Sequence, residues 1–244
     1  MADFKTHFTI TSIGSSIAST ILFASAIATP QEVLLYFTLG VVGGLLPDID
    51  SDNSLPVRIL FTFIATVISF LVMFKQPPEN TAVELLLVWM GSFVFIKYFL
   101  FSFFTRITVH RGIIHSIPAS VFFGLISTIL LYRIFHFNEF VAWMAGMFVF
   151  GGYIIHLLLD ELYSLNLKGL GIKKSAGTAF KFGNASDLKS TFFIYLAIVL
   201  LFFSTPEHNH FFSIFFDTST YRHLKFFPSD NWFSELMFYQ SKFP

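Results

Sequence analysis

Apolar residues gather along the chain into runs of about 20, separated by short polar segments, which is the pattern of helices that can cross a hydrocarbon core of about 30 Å. Seven runs predict spans, over residues 8–28, 31–46, 57–74, 84–104, 113–134, 139–159 and 190–205. The second and last are short. Gly40, Gly43 and Gly44 ahead of Pro47 make the second a tilted or partly buried span. Lys5 followed by an apolar run and Ala24-Ser25-Ala26 imitates a secretory signal, but Thr9 to Ser16 is too polar for a signal core. Its small residues instead suit close helix packing. The expected fold is therefore all-α, a polytopic transmembrane helical bundle of about seven spans over residues 1–205. An aromatic-rich tail, 206–244, follows as an interfacial helix or a cap on the bundle.

If all seven runs cross, the N-terminus and the loops 47–56, 105–112 and 160–189 share one side. Lys5, Arg58, Arg106, Arg111, Lys168, Lys173, Lys174, Lys181 and Lys189 fall there, against Lys75 and Arg133 near the opposite loops. The positive-inside bias makes the lysine- and arginine-rich side cytoplasmic, N-terminus included.

Polar groups beside hydrocarbon are costly, so where they cluster a function is expected. His7 opens the first span, and Pro47-Asp48-Ile49-Asp50-Ser51-Asp52 follows the second. His110-Arg111-Gly112-Ile113-Ile114-His115-Ser116 enters the fifth, and His156-Leu157-Leu158-Leu159-Asp160-Glu161 leaves the sixth. The topology brings all four to one membrane face. His156 and Asp160, four apart, project from one helix face, the spacing by which a helix offers two ligands to one metal. Asp48 and Asp50 alternate on a proline-started turn, and His110 and His115 flank the flexible Gly112. Taken singly, each has a plain reading as an interfacial hydrogen bonder, a helix cap or a solvated pair; the convergence favours a metal centre.

Composition narrows the chemistry. The chain of 244 residues has a mean hydropathy of +0.70, 55% hydrophobic and 12% charged residues, which excludes an ordinary soluble enzyme. Its 15 basic and 15 acidic residues balance, so no basic surface points to nucleic acid. With no cysteine, thiolate zinc sites and iron–sulfur clusters are excluded, and a metal must be held by His, Asp, Glu or backbone oxygen. Imidazole with carboxylate suits zinc first, then manganese or iron. Lys97 reads as a snorkelling residue in preference to one that lines the site, and His136 lies across the bilayer from the cluster. His208-Asn209-His210 spells HNH, but the nuclease motif of that name is spread over a fold rather than contiguous.

The His7, Gly43-to-Asp50, His110-to-Ser116 and His156-to-Glu161 motifs, in this order, resemble the YdjM-like membrane-bound metal-dependent hydrolases of bacteria. Ser175 to Phe182 resembles the segment that follows the last metal motif in that family, so the resemblance runs over about residues 5–183. It implies an inner-membrane protein with a metal-assisted hydrolase site, and distant similarity to zinc-dependent phospholipase C implies phosphoester substrates. His7, Asp48, Asp50, His110, His115, His156 and Asp160 carry over as metal ligands. Asp52 and Glu161 lie beside the motifs.

The expected function is hydrolysis of a phosphoester on a lipid or lipid-linked substrate at the cytoplasmic face. Seven donors exceed the needs of one ion, which leaves room for two or more. Asp50 or Asp160 would take the proton from water, and Arg111 and Lys181 would neutralise charge on the phosphoryl group. The same two cations read equally well as ordinary contacts to anionic headgroups. Two alternatives stand beside the enzyme: a divalent metal or proton transporter, and a structural membrane protein whose metal staples helix ends. Membrane lipids are the expected partners.

Overall fold

The computed structural model describes residues 3–50, 80–100, 113–166, 171–172, 181–183 and 187–222, with Leu224 and scattered positions between 62 and 77. The described residues include the helices α1 (Phe4–Ala24), α2 (Pro30–Leu45), α3 (Ala82–Val94), α4 (Ile117–Ile129), α5 (Glu139–Ser164), α6 (Leu188–Phe202) and α7 (Asn209–Phe215). A 3-10 turn, Leu46–Asp50, extends α2, and π-helical turns extend α3 over Phe95–Leu100 and α4 over Leu130–Ile134. Apart from a two-residue antiparallel ladder, Leu165–Asn166 against Gly171–Ile172, the described fold is helical.

Local sequence sets where the helices begin. Asp3 accepts the Thr6 amide at the start of α1, and Thr29 with Glu32, like Thr81 with Glu84, closes a reciprocal capping box. Ser116 caps α4 just ahead of Pro118, where a missing amide hydrogen costs nothing. Asn138 and Asp187 accept amides at the starts of α5 and α6.

Among the described residues four helices are long and apolar enough to cross a membrane: Phe4–Ala24, Ala82–Phe99, Ile117–Ile134 and Glu139–Ser164. The runs at 31–46 and 190–205 form helices of 16 and 15 residues, below the usual spanning length. The run at 57–74 lies largely outside the described residues.

The centre of the bundle is α5, which packs against α2, α4 and α1. Large side chains are excluded where α2 meets α5 and α1. A Cβ at Gly43 would overlap the Val149 carbonyl, one at Gly152 the Gly40 carbonyl, and one at Gly44 the Thr11 side chain. On α1 the buried face reads His7, Thr11, Ser15, Ser19 and Leu22, a narrow stripe of mostly small residues that lets α2 lie close. The packing expected of the N-terminal small residues is thus present.

At the far end of α5 from Asp160, aromatic residues close the bundle. Trp143 donates its indole N–H to the Pro206 carbonyl at 3.2 Å and stacks on Phe211, which is 1% exposed. Arg133 donates to the Ser204 carbonyl. Through α7 the tail covers this end of the helices. Lys97 lies over the Phe93 and Tyr98 rings, 5.2 and 5.7 Å from their centroids.

Candidate metal centre

Four chain segments converge where α1 begins, α2 ends and α5 ends. α1 supplies His7, the 3-10 turn after α2 supplies Asp48, the turn ahead of α4 supplies His115, and the last turns of α5 supply His156 and Asp160. His7, His156 and Asp160 are buried, at 1%, 0% and 5% exposure, whereas the side chains of His115 and Asp48 keep 18% and 23%. The cluster therefore has a dry inner half and a rim open to solvent.

Asp160 sits in the middle. Its Oδ1 lies 3.3 Å from His7 Nε2, and its Oδ2 lies 3.6 Å from His156 Nε2 and 3.9 Å from His115 Nε2. Asp48 Oδ1 lies 3.7 Å from His156 Nε2 on the other side. Two overlapping groups of metal-ligand geometry result, His7 with His156 and Asp160, and Asp48 with His115 and His156. Within each, one ligand atom per residue lies within 4.8 Å of the others. His156 belongs to both.

The surroundings fix which ring nitrogens are available. Nδ1 of His156 lies 2.7 Å from the Gly44 carbonyl oxygen and donates its hydrogen there, so Nε2 keeps its lone pair toward the carboxylates. A backbone carbonyl orienting a ligating imidazole in this way is a common second partner in metal sites. The close approach of α2 places that carbonyl within reach. Tyr153 donates its hydroxyl to the Ile114 carbonyl at 2.6 Å, tying the His115 turn to α5. The Ile117 amide donates to the Lys181 carbonyl at 3.0 Å, and Tyr195 donates to the Phe182 carbonyl, so the Lys181 backbone is held two residues from His115.

The residues fit a metal ion by a test independent of spacing. Both ring nitrogens of His7 and the Nε2 atoms of His115 and His156 are buried without a hydrogen-bond partner. Burying polar atoms unpaired costs about 1–3 kcal/mol each, and four in one cluster is a debt that coordination would remove. Three imidazoles with two carboxylates match zinc, manganese or iron better than magnesium or calcium. His115, outside the α4 helix, has its pKa pushed below the usual imidazole value, first by burial and then by His156, which favours the neutral ring that ligates.

Of the seven ligands expected, His7, Asp48, His115, His156 and Asp160 come together. His110 and Arg111 lie outside the described residues, as does Asp52, and so does the Asp50 side chain. Glu161, next to Asp160, belongs to neither ligand group among the described residues. Sequence reasoning missed the positioning roles of Gly44 and Tyr153. Gly40, Gly43 and Gly44 had signalled a tilted or partly buried span, but nothing in the chain's spacing pointed to a carbonyl aimed at His156.

The family described as YdjM inner membrane protein matches the chain over residues 3–173. That stretch holds all five converging donors; the segment 175–182 and the aromatic tail lie beyond it. No curated protein and no solved structure matches the chain.

Proposed function

Because the chain belongs to the YdjM inner membrane protein family, we propose that it is an integral membrane, metal-dependent hydrolase that cleaves a phosphoester of a lipid or lipid-linked substrate at the cytoplasmic face. The observation that carries this reading is the convergence of three imidazoles and two carboxylates in which four buried ring nitrogens make no hydrogen bond, three of them facing carboxylate oxygens at 3.3–3.9 Å. Zinc is the preferred ion, with manganese or iron as alternatives, and two overlapping ligand groups leave room for more than one.

Each residue has a task. His7, His156 and Asp160 hold the inner side of the site, where water is excluded, and Asp48 and His115 hold the rim. The Gly44 carbonyl keeps His156 in the tautomer whose Nε2 can ligate. A divalent ion bound here would polarise a phosphoryl oxygen and lower the pKa of water toward about 7. Asp160 is engaged with three imidazoles, so the proton released by the attacking water is assigned to Asp50, with Asp160 as the alternative base. Arg111 and Lys181 would neutralise charge growing on the phosphoryl oxygens.

The half-open rim favours hydrolysis over a purely structural staple, since a stapling site closes its coordination while a catalytic one keeps a position for substrate. Placement at the helix ends favours it over a transporter, whose sites lie near the bilayer midplane. The test is turnover of a lipid phosphate or a generic phosphodiester by the purified protein in detergent, with and without added zinc or manganese. Metal-dependent turnover that disappears in Asp160→Ala supports the enzyme. Metal flux into proteoliposomes without turnover replaces it with the transporter.

A further inference from the structure

A cavity of about 310 Å³ runs between α1 and α5 beneath the metal centre. Gly14, Ala18 and Ile21 form one wall, and Met144, Gly151 and Ile155 form the other. Ile155 adjoins His156, while Met144 lies eleven residues further back along α5, about 16 Å at 1.5 Å per residue. The cavity thus starts at Ile155, next to His156 on α5, and at Gly14, seven residues or about 10 Å along α1 from His7, and extends through about half of a 30 Å hydrocarbon core, the depth of one leaflet. Among its lining residues only Ser15 and Tyr221 carry polar side-chain groups.

Its width comes from glycine. A Cβ at Gly151 would meet nothing within 4 Å, and one at Gly14 would meet only the terminal Cδ1 of Ile155, at 2.8 Å. Its mouth is continuous with the lipid-contact surface. Ile10 and Ile17, 40% and 58% exposed, lie within about 60° of Gly14 around α1 by helical spacing. At the far end Phe215 and Tyr221 close the space, the Tyr221 hydroxyl donating to the Phe215 carbonyl at 3.1 Å. Both belong to the tail, beyond residues 3–173 that the family covers.

We propose that this cavity takes one acyl chain of a membrane phospholipid whose phosphate lies at the His7–Asp160 cluster, an inference that rests on the hydrolase reading and narrows its substrate to a glycerophospholipid. Hydrocarbon entering an apolar cavity that opens on the bilayer gains close dispersion contacts without stripping water from polar groups. A chain seated there brings the ester end of the lipid to the level of Ile155, one residue from His156. The tail then acts as the floor of the chain site.

The experiment uses the full chain in nanodiscs of phosphatidylethanolamine and phosphatidylglycerol, with a trace of phosphatidylglycerol carrying a diazirine on its acyl chain. After photolysis, labelled peptides are mapped by mass spectrometry. The expected result is label on Gly14–Leu22 and Met144–Ile155 at fivefold or more the level on Leu86–Met90 of α3, a lipid-exposed stretch. Gly151→Leu and Ala18→Leu should each reduce groove labelling several-fold while bound metal stays unchanged. Equal labelling of groove and α3 overturns the proposal, as does a chain-to-chain contact that fills the cavity, seen as a dimer lost in Gly151→Leu. The wild-type ratio decides alone if a variant fails to fold. Groove labelling without turnover of any lipid phosphate removes the hydrolase reading and leaves the chain site; turnover without groove labelling does the reverse.

Discussion

The imidazole rings of His7 and His156 stack with their centroids 3.7 Å apart and their planes 11° from parallel. Both rings are buried, so the stack puts two of the candidate ligands in direct contact across the packing of α1 on α5. The stack also joins α1 to α5, so that packing of α1 onto α5 and assembly of the metal site go together.

Because His156 belongs to both ligand groups while His115 and Asp48 belong to one, their substitutions should differ in effect. His156→Ala should remove bound metal by tenfold or more, and His115→Ala and Asp48→Ala should each remove less. Metal content of the purified variants, measured by mass spectrometry of the elements, checks the ranking. Full retention in all three would remove the metal centre from the description.

The backbone approach of α2 to α5 predicts a second result. Gly43→Leu would drive a side chain into the Val149 carbonyl, a backbone obstacle that cannot rotate away, and the two helices must separate. Separation would also withdraw the Gly44 carbonyl from His156. The expected loss is about 1–3 kcal/mol or more of stability together with weaker metal binding. Thermal unfolding in detergent, with Gly91→Ala as a control in open space, reads it.

Much of this architecture was legible in the chain. Hydropathy placed runs from residues 8, 31, 84 and 113, within four residues of the helix starts at Phe4, Pro30, Ala82 and Ile117 that the Asp3, Thr29, Thr81 and Ser116 caps set. His156 and Asp160 were legible as partners because helical spacing is fixed. Hydropathy alone did not distinguish helices of spanning length from shorter apolar ones. The runs 31–46 and 190–205 score as apolar, yet α2 ends at Leu45, where the chain turns to deliver Asp48, and α6 covers only Leu188–Phe202. Nor could spacing show that His7 would stack on His156, since that contact depends on how closely α1 settles on α2's glycines.

Tyr153 offers a test of positioning as distinct from ligation. Its hydroxyl holds the Ile114 carbonyl at 2.6 Å, and its ring stacks on Phe123, so Tyr153→Phe keeps the packing and removes one hydrogen bond. A neutral bond of this kind is worth about 0.5–1.5 kcal/mol, and after its loss the Ile114 carbonyl still accepts the Ser116 amide at 2.8 Å. Metal affinity should fall about two- to tenfold, by looser placement of His115, with little change in unfolding temperature. Titration with zinc against a competing chelator measures the affinity, and an unchanged value assigns the hydroxyl to stability alone.

The opposite end of the bundle should behave independently. Phe211 is 1% exposed and packs among Trp143, Phe140, Phe212 and Phe215, so Phe211→Ala leaves a large void in the cap. Buried Phe→Ala changes cost about 3–5 kcal/mol in soluble cores, and a cap partly bathed by lipid should lie toward the lower figure. The residue lies beside Trp143, thirteen positions before His156 on α5, about 20 Å along the helix axis. At that distance stability effects and metal affinity should separate. Phe211→Ala should therefore unfold at lower temperature while binding as much metal as the unaltered chain when folded. Parallel loss of both would mean that the aromatic cap sets the tilt of α5, and with it the placement of His156 and Asp160.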